Sequence, residues 1–473
     1  DVDNFKDIND AIIGDTIASG PNAGKPKPIL LGRVKNFDLS AYLLDASALT
    51  YYVNNFALDS TFGTTIFPTV RDNGVSLTDT DLFFMDSGST TANAGTDTIT
   101  QVGHGLAVND VVRFGGGGGS LFAGLSAATQ YWVIAAGLTA DDFRLSLTKG
   151  GAAVDITGTV ISGSWACDRR RFYCYASTAI IELSSSPAGR VTLDMAVVDA
   201  GGDLGTATTP HRAFEYLLEH HTALAASEYD STALGALDAA ETSETSLYGR
   251  AILDRMNVLD LLDEIAVATY SWCGWTSAGV LTVGRFDLAN IDGATAIDTI
   301  TANDVYGDPA CEQLPLEHGK VILDARRNIV TQGDGLAASV SAEDRSKWAQ
   351  PFQTRVITTD PAGATYLANW WDYHKTAIDS RPMETILDAG GQTACDAITA
   401  LFKPWNRAIR VTVGLDKYGL NPGDCVELTY PRYGLDAGKN CRVAGVKVNL
   451  TDETVDLTLV TKITPDYTTA SYP

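Results

Sequence analysis

The histidines are the residues that most suggest metal binding or catalysis, but their spacing in the sequence does not predict a metal site. Glu219, His220 and His221 are adjacent, but neighbouring side chains on a helix point about 100° apart and do not hold one metal ion together. The zinc motif H-E-x-x-H is absent from the sequence. We therefore predict a solvated helix end at this position, with no metal and no cofactor.

A run of five glycines, Gly115–Gly119, is followed by Ser120 and Leu121. A phosphate-binding loop has the form G-x-x-x-x-G-K-[ST], in which the lysine reaches the phosphates. No lysine stands at this position, and glycine adopts backbone conformations that other residues avoid. The run predicts a flexible loop between two strands.

Carboxylates are numerous enough to supply the pair that glycoside cleavage needs, but none stands in an aromatic, cleft-like context. The nucleophile elbow G-x-S-x-G is absent. The aspartate-rich windows 79–86 and 287–298 lack the ligand spacing of a calcium loop. We predict that the protein is not an enzyme, and we assign no catalytic, cofactor-binding or metal-binding residue.

The charge balance restricts the partners of the chain. The 473 residues include 58 acidic and 34 basic side chains, a net charge of −24. Nucleic-acid binding through a general basic surface is excluded, because phosphate contacts need clustered Lys and Arg. The acidity is compatible with a channel wall that repels DNA, and it is equally compatible with a role in solubility alone.

The cysteines and the apolar runs indicate where the chain is made. No C-x-x-C joins the seven cysteines, and most stand in apolar, strand-like or helix-like contexts, so we predict reduced, structural thiols in a protein made in a cytoplasm. No apolar run approaches the roughly 20 residues that a membrane-spanning helix needs. We expect no stable insertion into a membrane.

The elements that would position any site are mostly strands. Alternating apolar residues and turn signals such as Asp72-Asn73-Gly74 predict strands and hairpins over both ends of the chain. Between about 88 and 165 the composition shifts to Gly, Ala, Thr and Ser, with strand patterns that include Val154–Val160. Helical patterns occupy 210–226, 256–270, 343–349, 364–377 and 391–402.

These patterns predict an α+β fold that is mostly β, with two small tube-like β-barrel domains, a helical middle region and an inserted all-β module. The predicted organisation of the chain is an N-terminal arm at 1–28, a first barrel domain from 29–87 and 166–200, an inserted module at 88–165, a helical and mixed domain at 201–300, and a second barrel domain with helices and C-terminal strands at 301–473.

Four passages resemble phage tail proteins of the baseplate-hub or tail-tip class, typified by the trimeric hub of long-tailed phages. The clearest is Leu420–Leu428, of the form L-x-P-G-D-x-V-x-L, in which Pro422-Gly423 sets a turn before a strand. The others are Pro28–Asn36, Asp254–Gly284 and Arg326–Val330. Separately, the segment from His104 to Ser146 resembles a β module found as an insert in phage structural proteins.

The resemblance implies a virion structural protein that is assembled in the host cytoplasm and located in the phage tail. It would form a homotrimeric ring that continues or closes the tail tube, contact other tail proteins such as the tube protein and the fibres, and let genomic DNA pass without specific binding. One alternative is a receptor- or glycan-binding tail protein with Tyr131 and Trp132 as an aromatic platform. A less favoured alternative is a virion-associated hydrolase.

Overall fold

The structure is a computed structural model, and it describes residues 12–13, 16–18, 20–60, 68–115, 118–127, 129–201, 204, 208–243, 248–269, 271–285, 291–313, 320–359, 378–380 and 406–462. The α-helices in this part of the chain are α1 (Pro210–His221), α2 (Ser231–Ser243), α3 (Val258–Thr269) and α4 (Ala342–Ala349). Single 3₁₀ turns occupy Leu39–Tyr42, Ala176–Thr178, Ile291–Gly293 and Leu415–Lys417.

The strands of the first part of the chain are β1 (Ile12–Ile13), β2 (Ile29–Asp38), β3 (Leu43–Asp45), β4 (Thr50–Tyr52), β5 (Thr69–Asp72), β6 (Val75–Ser76), β7 (Thr78–Met85), β8 (Thr90–Asn93), β9 (Thr98–Gln101), β10 (Val111–Gly115), β11 (Gln130–Val133), β12 (Asp142–Phe143), β13 (Leu145–Ser146), β14 (Trp165–Arg170), β15 (Phe172–Tyr175), β16 (Ile180–Leu183) and β17 (Val191–Ala196).

The later strands are β18 (Gly249–Ile252), β19 (Met256–Asn257), β20 (Ser271–Trp275), β21 (Leu281–Arg285), β22 (Asp298–Thr301), β23 (Ala310–Gln313), β24 (Lys320–Arg327), β25 (Phe352–Thr359), β26 (Ile378–Ser380), β27 (Asn406–Gly414), β28 (Cys425–Tyr430), β29 (Leu435–Asn449) and β30 (Thr454–Lys462). Strands therefore outweigh helices, and the prediction of an α+β fold that is mostly β is confirmed.

The first core joins two sheets to three helices. A five-stranded sheet in the order β18-β2-β17-β5-β6 and a four-stranded sheet in the order β15-β16-β4-β3 contribute to one cluster of buried apolar side chains, together with α1, α2 and α3. Ile29, Leu30 and Leu31 are all fully buried, so β2 is covered on both faces. That explains why these three consecutive positions are all apolar instead of alternating with polar residues.

Helix α1 forms where the sequence predicts it. Thr209 caps it by accepting a hydrogen bond from the Arg212 amide at 3.2 Å, and Pro210 occupies the first turn, where its missing N–H costs nothing. Phe214, Leu217 and Leu218 lie on the buried face. The helix ends at His221 rather than at 226, because the next residue, Thr222, is extended.

A second core lies inside the inserted module. Its main sheet has the order β13-β11-β10-β14-β7, and a small sheet of β12, β9 and β8 lies beside it. Phe114, Phe143 and Val133 belong to its buried cluster, but so do Met85 and Cys167, which stand on the flanking strands β7 and β14. The strands that lead into and out of the predicted insert are thus part of its sheet.

The third core belongs to the C-terminal sheet, in the order β22-β28-β29-β30-β27-β23. Val426, Leu428, Val443 and Leu457 are fully or almost fully buried in a cluster drawn from this sheet and its adjoining loops. Among the described residues no sheet closes on itself. The strands predicted to form two tube-like barrels therefore belong to open sheets in the described part of the chain, because the edge strands of each sheet are not paired with each other there.

Two described segments differ from the predicted elements. Val154–Val160 is not a strand: the Ile156 amide, for example, donates to the side-chain Oδ1 of Asp97 at 2.9 Å instead of to a neighbouring strand. Helix α2 lacks a strong apolar stripe and was not predicted. The predicted helices at 364–377 and 391–402 lie outside the described residues, and none of the described helices has the length and apolar content to cross a membrane.

A buried carboxylate attaches the segment after β24 to the first sheet. Asp194 on β17 accepts hydrogen bonds from Arg71 Nη2 at 2.7 Å and from the Asn36 amide at 2.7 Å. Asn36 in turn donates through Nδ2 to the Val330 carbonyl at 2.5 Å, and the Arg71 guanidinium lies over the ring of Trp348. Burial alone would raise the pKa of Asp194, but Arg71 and its other partners hold that pKa below its usual value.

We expect Asp194→Asn to lower the free energy of unfolding by about 3 kcal/mol at pH 7, since it leaves Arg71 buried without its counter-charge. Because the pKa of Asp194 is lower in the folded state, its contribution is present above about pH 4 and is lost as the pH falls through the folded pKa. The variant should therefore lose less stability than the native chain between pH 7 and pH 3. Urea denaturation at both pH values measures this, and parallel losses would contradict it.

Candidate functional site

The one buried histidine–carboxylate–arginine group in the described residues lies at the start of α1. His211 Nδ1 is 2.6 Å from Glu241 Oε1, and the His211 amide donates to Glu241 Oε2 at 2.9 Å. Arg285 Nη2 on β21 lies 3.3 Å from the same Oε1. These residue types could exchange protons with a substrate, but the side chains of His211 and Glu241 are 0% exposed. The group ties α1, α2 and β21 together.

The adjacent histidines lie where the sequence predicts them. Glu219 and His220 are exposed at the last turn of α1, and His221 is half-buried. Glu219 Oε1 accepts a hydrogen bond from Tyr229 Oη at 3.0 Å, and both histidine rings contact Tyr216. Among the residues with described positions, no three His, Cys, Asp or Glu side chains are grouped to hold a metal ion.

The C-terminal end of the glycine run packs against the backbone at Ser162. Gly119 lies so close to the carbonyl of Ser162 that a Cβ would stand 2.2 Å from that oxygen. Ser120 and Ser162 also exchange two hydrogen bonds, each 2.9 Å long. Glycine at 119 is therefore required by a close approach of two backbones inside the module, and its neighbour Gly118 is exposed.

The aromatic platform proposed for a receptor- or glycan-binding role is wrong, because Tyr131 and Trp132 are 2% and 0% exposed. Tyr131 belongs to the module core. Trp132 points the other way and stacks on Tyr173 of β15, with 5.4 Å between ring centroids and 11° between ring planes. Alternation along β11 thus places one ring in each of two buried environments.

The contact around Trp132 joins the module to the first core. Gln130 and Cys174 exchange two hydrogen bonds of 3.3 and 3.4 Å through the Gln130 side chain. Lys149 lies over the Trp132 ring and is 3.4 Å from Glu182 Oε1. The module is therefore docked by a stacked, charged and hydrogen-bonded contact in addition to its covalent connections.

The described cysteines are free thiols in apolar surroundings. Burial raises the pKa values of Cys174, Cys273 and Cys441 to about 12, and it raises that of Cys167 well above its usual value. A thiol with a raised pKa stays protonated near pH 7 and is a poor nucleophile. These side chains act as small apolar residues.

The pocket that stands out chemically is lined by arginines. It has a volume of about 360 Å³ and lies between residues 250–256 and the end of β24. Both segments lie along the same side of β2, since Arg250 pairs with Leu31 and Asn328 bridges to Lys35. The lining consists of Arg250, Ala251, Ile252, Leu253, Asp254, Arg255, Met256, Arg327 and Ile329.

Sequence reasoning missed this pocket, because its arginines come from chain segments more than 70 positions apart. Arg255 and Arg327 are exposed, whereas Arg250 is half-buried and lies 3.0 Å from Glu264 Oε2. The only local sign was the pair Arg326-Arg327 in a chain with few basic residues. Chemically, guanidinium groups are donors that suit carboxylates or phosphates.

Passages that the sequence analysis singled out separately meet in the structure. Val426 and Leu428 after the Pro422-Gly423 turn are buried, as alternation predicts. The turn itself abuts the β20–β21 hairpin: a Cβ on Gly423 would lie 2.3 Å from the ring of Trp272, and the Ser277 amide donates to Asn421 Oδ1 at 2.7 Å. The C-terminal sheet is thus attached to the helical region through this turn.

No protein-family model matches the chain, and no curated protein matches it. It is similar to a chain in the virion of a native gene transfer agent particle, with a TM-score of 0.36 and 12% identity over 95% of this chain and 89% of that one. It is also similar to a tail protein from Neisseria meningitidis MC58, with a TM-score of 0.29 and 14% identity over 86% of this chain and 99% of that one.

A third similar structure is the 43 kDa tail protein of prophage MuSo2 from Shewanella oneidensis, with a TM-score of 0.28 and 9% identity over 84% of this chain and 97% of that one. These three solved structures are virion or tail proteins.

We expect Glu241→Gln to lower the free energy of unfolding by about 3 kcal/mol, because the change leaves Arg285 and His211 without the buried carboxylate that they share. Glu343→Gln is the matched control, since Glu343 pairs with Lys347 on the surface and is 76% exposed. The control should cost no more than about 0.5 kcal/mol. Thermal unfolding followed by circular dichroism compares the two, and equal costs would contradict the tying role of Glu241.

We expect Trp132→Ala to loosen the module from the first core while the module itself stays folded, since Trp132 is not part of the module cluster. Hydrogen–deuterium exchange should quicken at the Cys174 amide, which bonds to Gln130, and stay slow at the Val133 amide inside the module. Val102→Ala, at a site that is 75% exposed, should change neither rate. Fast exchange at both amides would show instead that the module unfolds.

Proposed function

We propose that the chain is a structural protein of a phage-type virion tail and, more specifically, the hub at the tail tip or baseplate. In this proposal three copies form a ring that continues or closes the tail tube, contacts other tail proteins and lets genomic DNA pass. The protein works by shape and charge and has no catalytic turnover. Its location is the virion, after assembly in the host cytoplasm.

The observation that carries the proposal is that the passages resembling hub proteins form one connected framework. Pro28–Asn36 supplies most of β2, an inner strand of the first sheet, and Asn328 bridges to Lys35 on that strand. The turn at Gly423 seats on Trp272 of the β20–β21 hairpin. A resemblance carried by unrelated short patterns would not require these segments to touch, whereas a shared architecture does.

The chemistry of the described residues agrees with a role without turnover. The His211, Glu241 and Arg285 group is closed to solvent around the carboxylate, and the described thiols are held protonated by burial. Catalysis needs a base or nucleophile that a substrate can reach. The aromatic platform that favoured receptor or glycan binding is buried, so we do not propose that role.

We also propose the organisation of the chain along these lines. The arm is 1–28, the first domain combines 29–87 with 166–200, the helical and mixed domain is 201–300, and the second domain is 301–473. For the inserted module we propose a unit wider than 88–165, from about 78 to 170, because β7 and β14 are strands of its own sheet.

We expect sedimentation velocity to give a particle of three times the 50.2 kDa of one chain at micromolar concentration in about 0.15 M salt. The same sample should not retard duplex DNA in a gel, because an excess of 24 negative charges per copy repels phosphates. A monomer over the whole concentration range would contradict the ring. Tight DNA binding at this salt would contradict the repelling surface.

A further inference from the structure

Four buried polar atoms around Asp194 have no hydrogen-bond partner in the described part of the chain. They are Asn36 Oδ1, Arg71 Nη1, Thr192 Oγ1 and Gln332 Oε1. Asn36 and Thr192 are fully buried and Gln332 is 4% exposed, so bulk solvent does not reach these atoms. A buried polar atom without a hydrogen bond costs free energy, and most buried polar groups in folded proteins have a partner. A partner outside the polypeptide is therefore expected here.

Three of these atoms belong to residues of the first sheet. Arg71 on β5 and Thr192 on β17 are directly opposite each other in the register of the two strands, and side chains opposite each other lie on the same face. Asp194 follows two positions along β17 and therefore lies on that face too. It accepts hydrogen bonds from Arg71 Nη2 and from the Asn36 amide. The Asp194 carboxylate thus brings Asn36 next to the pair formed by Arg71 and Thr192.

The fourth atom comes from the segment that covers this face. The Arg71 guanidinium lies 4.9 Å from the centre of the Trp348 ring, and the Gln332 amide donates to the Trp348 carbonyl at 2.7 Å. Val330, two residues before Gln332, accepts a hydrogen bond from Asn36 Nδ2 and donates through its own amide to the Asn36 carbonyl at 3.2 Å. Gln332 is therefore attached on one side to the ring that covers Arg71 and on the other to the partner of Asn36.

The four atoms match the hydrogen-bonding capacity of water. The amide oxygens of Asn36 and Gln332 only accept, Arg71 Nη1 only donates, and the Thr192 hydroxyl does either. A water molecule donates two hydrogens and also accepts, so it satisfies both amide oxygens and the arginine, and buried water typically makes about three hydrogen bonds. A metal cation would suit the oxygens but would be repelled by the guanidinium, and an anion would be repelled by Asp194.

We propose that ordered water binds these four atoms and completes the junction between the first sheet and the segment after β24. Arg71 uses Nη2 for Asp194, so Nη1 is the part of the guanidinium that bonds to water. The water solvates the buried ion pair from inside, and it links the sheet, through Thr192, to the covering segment, through Gln332. The site belongs to a single copy of the chain, so the inference holds whether or not copies form the proposed ring.

The first test is the sign of the stability change in Thr192→Val, which removes the hydroxyl and keeps the branched shape. If the hydroxyl bonded nothing, its removal would eliminate an unsatisfied buried group, and the urea midpoint of unfolding would rise. We expect the midpoint to fall, because the hydroxyl bonds water. Thr461→Val is the matched control, since Thr461 is also 0% exposed and its Oγ1 donates to the Asn440 carbonyl at 2.6 Å. A rise at Thr192, with a fall at Thr461, would overturn the proposal.

The second test is a high-resolution crystal structure of the native chain, which observes the water directly. We expect solvent density within hydrogen-bond distance, about 2.7–3.2 Å, of Arg71 Nη1 and of both amide oxygens. The same crystals of Thr192→Val should show this density weakened or displaced. Direct hydrogen bonds among the four side chains, with no density between them, would overturn the proposal, and so would density with the coordination distances of a metal ion.

Discussion

The arrangement of the first core depends on the hydrogen bonds and the ion pair of one buried carboxylate, that of Asp194. It lies on β17 and receives hydrogen bonds from Arg71 on β5 and from the Asn36 amide on β2, so it joins three strands of one sheet. Asn36 has a positive φ of 51°, a conformation that asparagine tolerates better than most residues. Through Asn36 and the Arg71–Trp348 contact, the same group attaches the chain after β24.

The internal ion pairs determine which charged side chains remain at the surface. Asp194 with Arg71 and Glu241 with Arg285 are buried at their carboxylates, and each pair removes one charge of either sign from the surface. The excess of 24 negative charges is unchanged by such pairing, so it is carried by the remaining, more exposed groups.

The parts of the fold that could be predicted are those determined by residues that are close together in the sequence. Asn73 and Gly74 form the hairpin turn with positive φ at both positions, and Val426 and Leu428 are buried by simple alternation. Helix α2 was missed because its composition gives no clear stripe. Sequence patterns did not predict the contact of Trp132 with Tyr173 or the arginine-lined pocket. Each depends on chain segments that are distant in sequence, and local residue patterns do not indicate which distant segments come into contact.

Copies of an acidic chain can associate if attractive contacts are short and the repelling carboxylates of the two copies lie far apart. At about 0.15 M salt the screening length is roughly 8 Å, so carboxylates spread over two surfaces repel weakly. A few short-range contacts between copies can therefore outweigh a large net charge, whereas low salt extends the range of the repulsion and works against association.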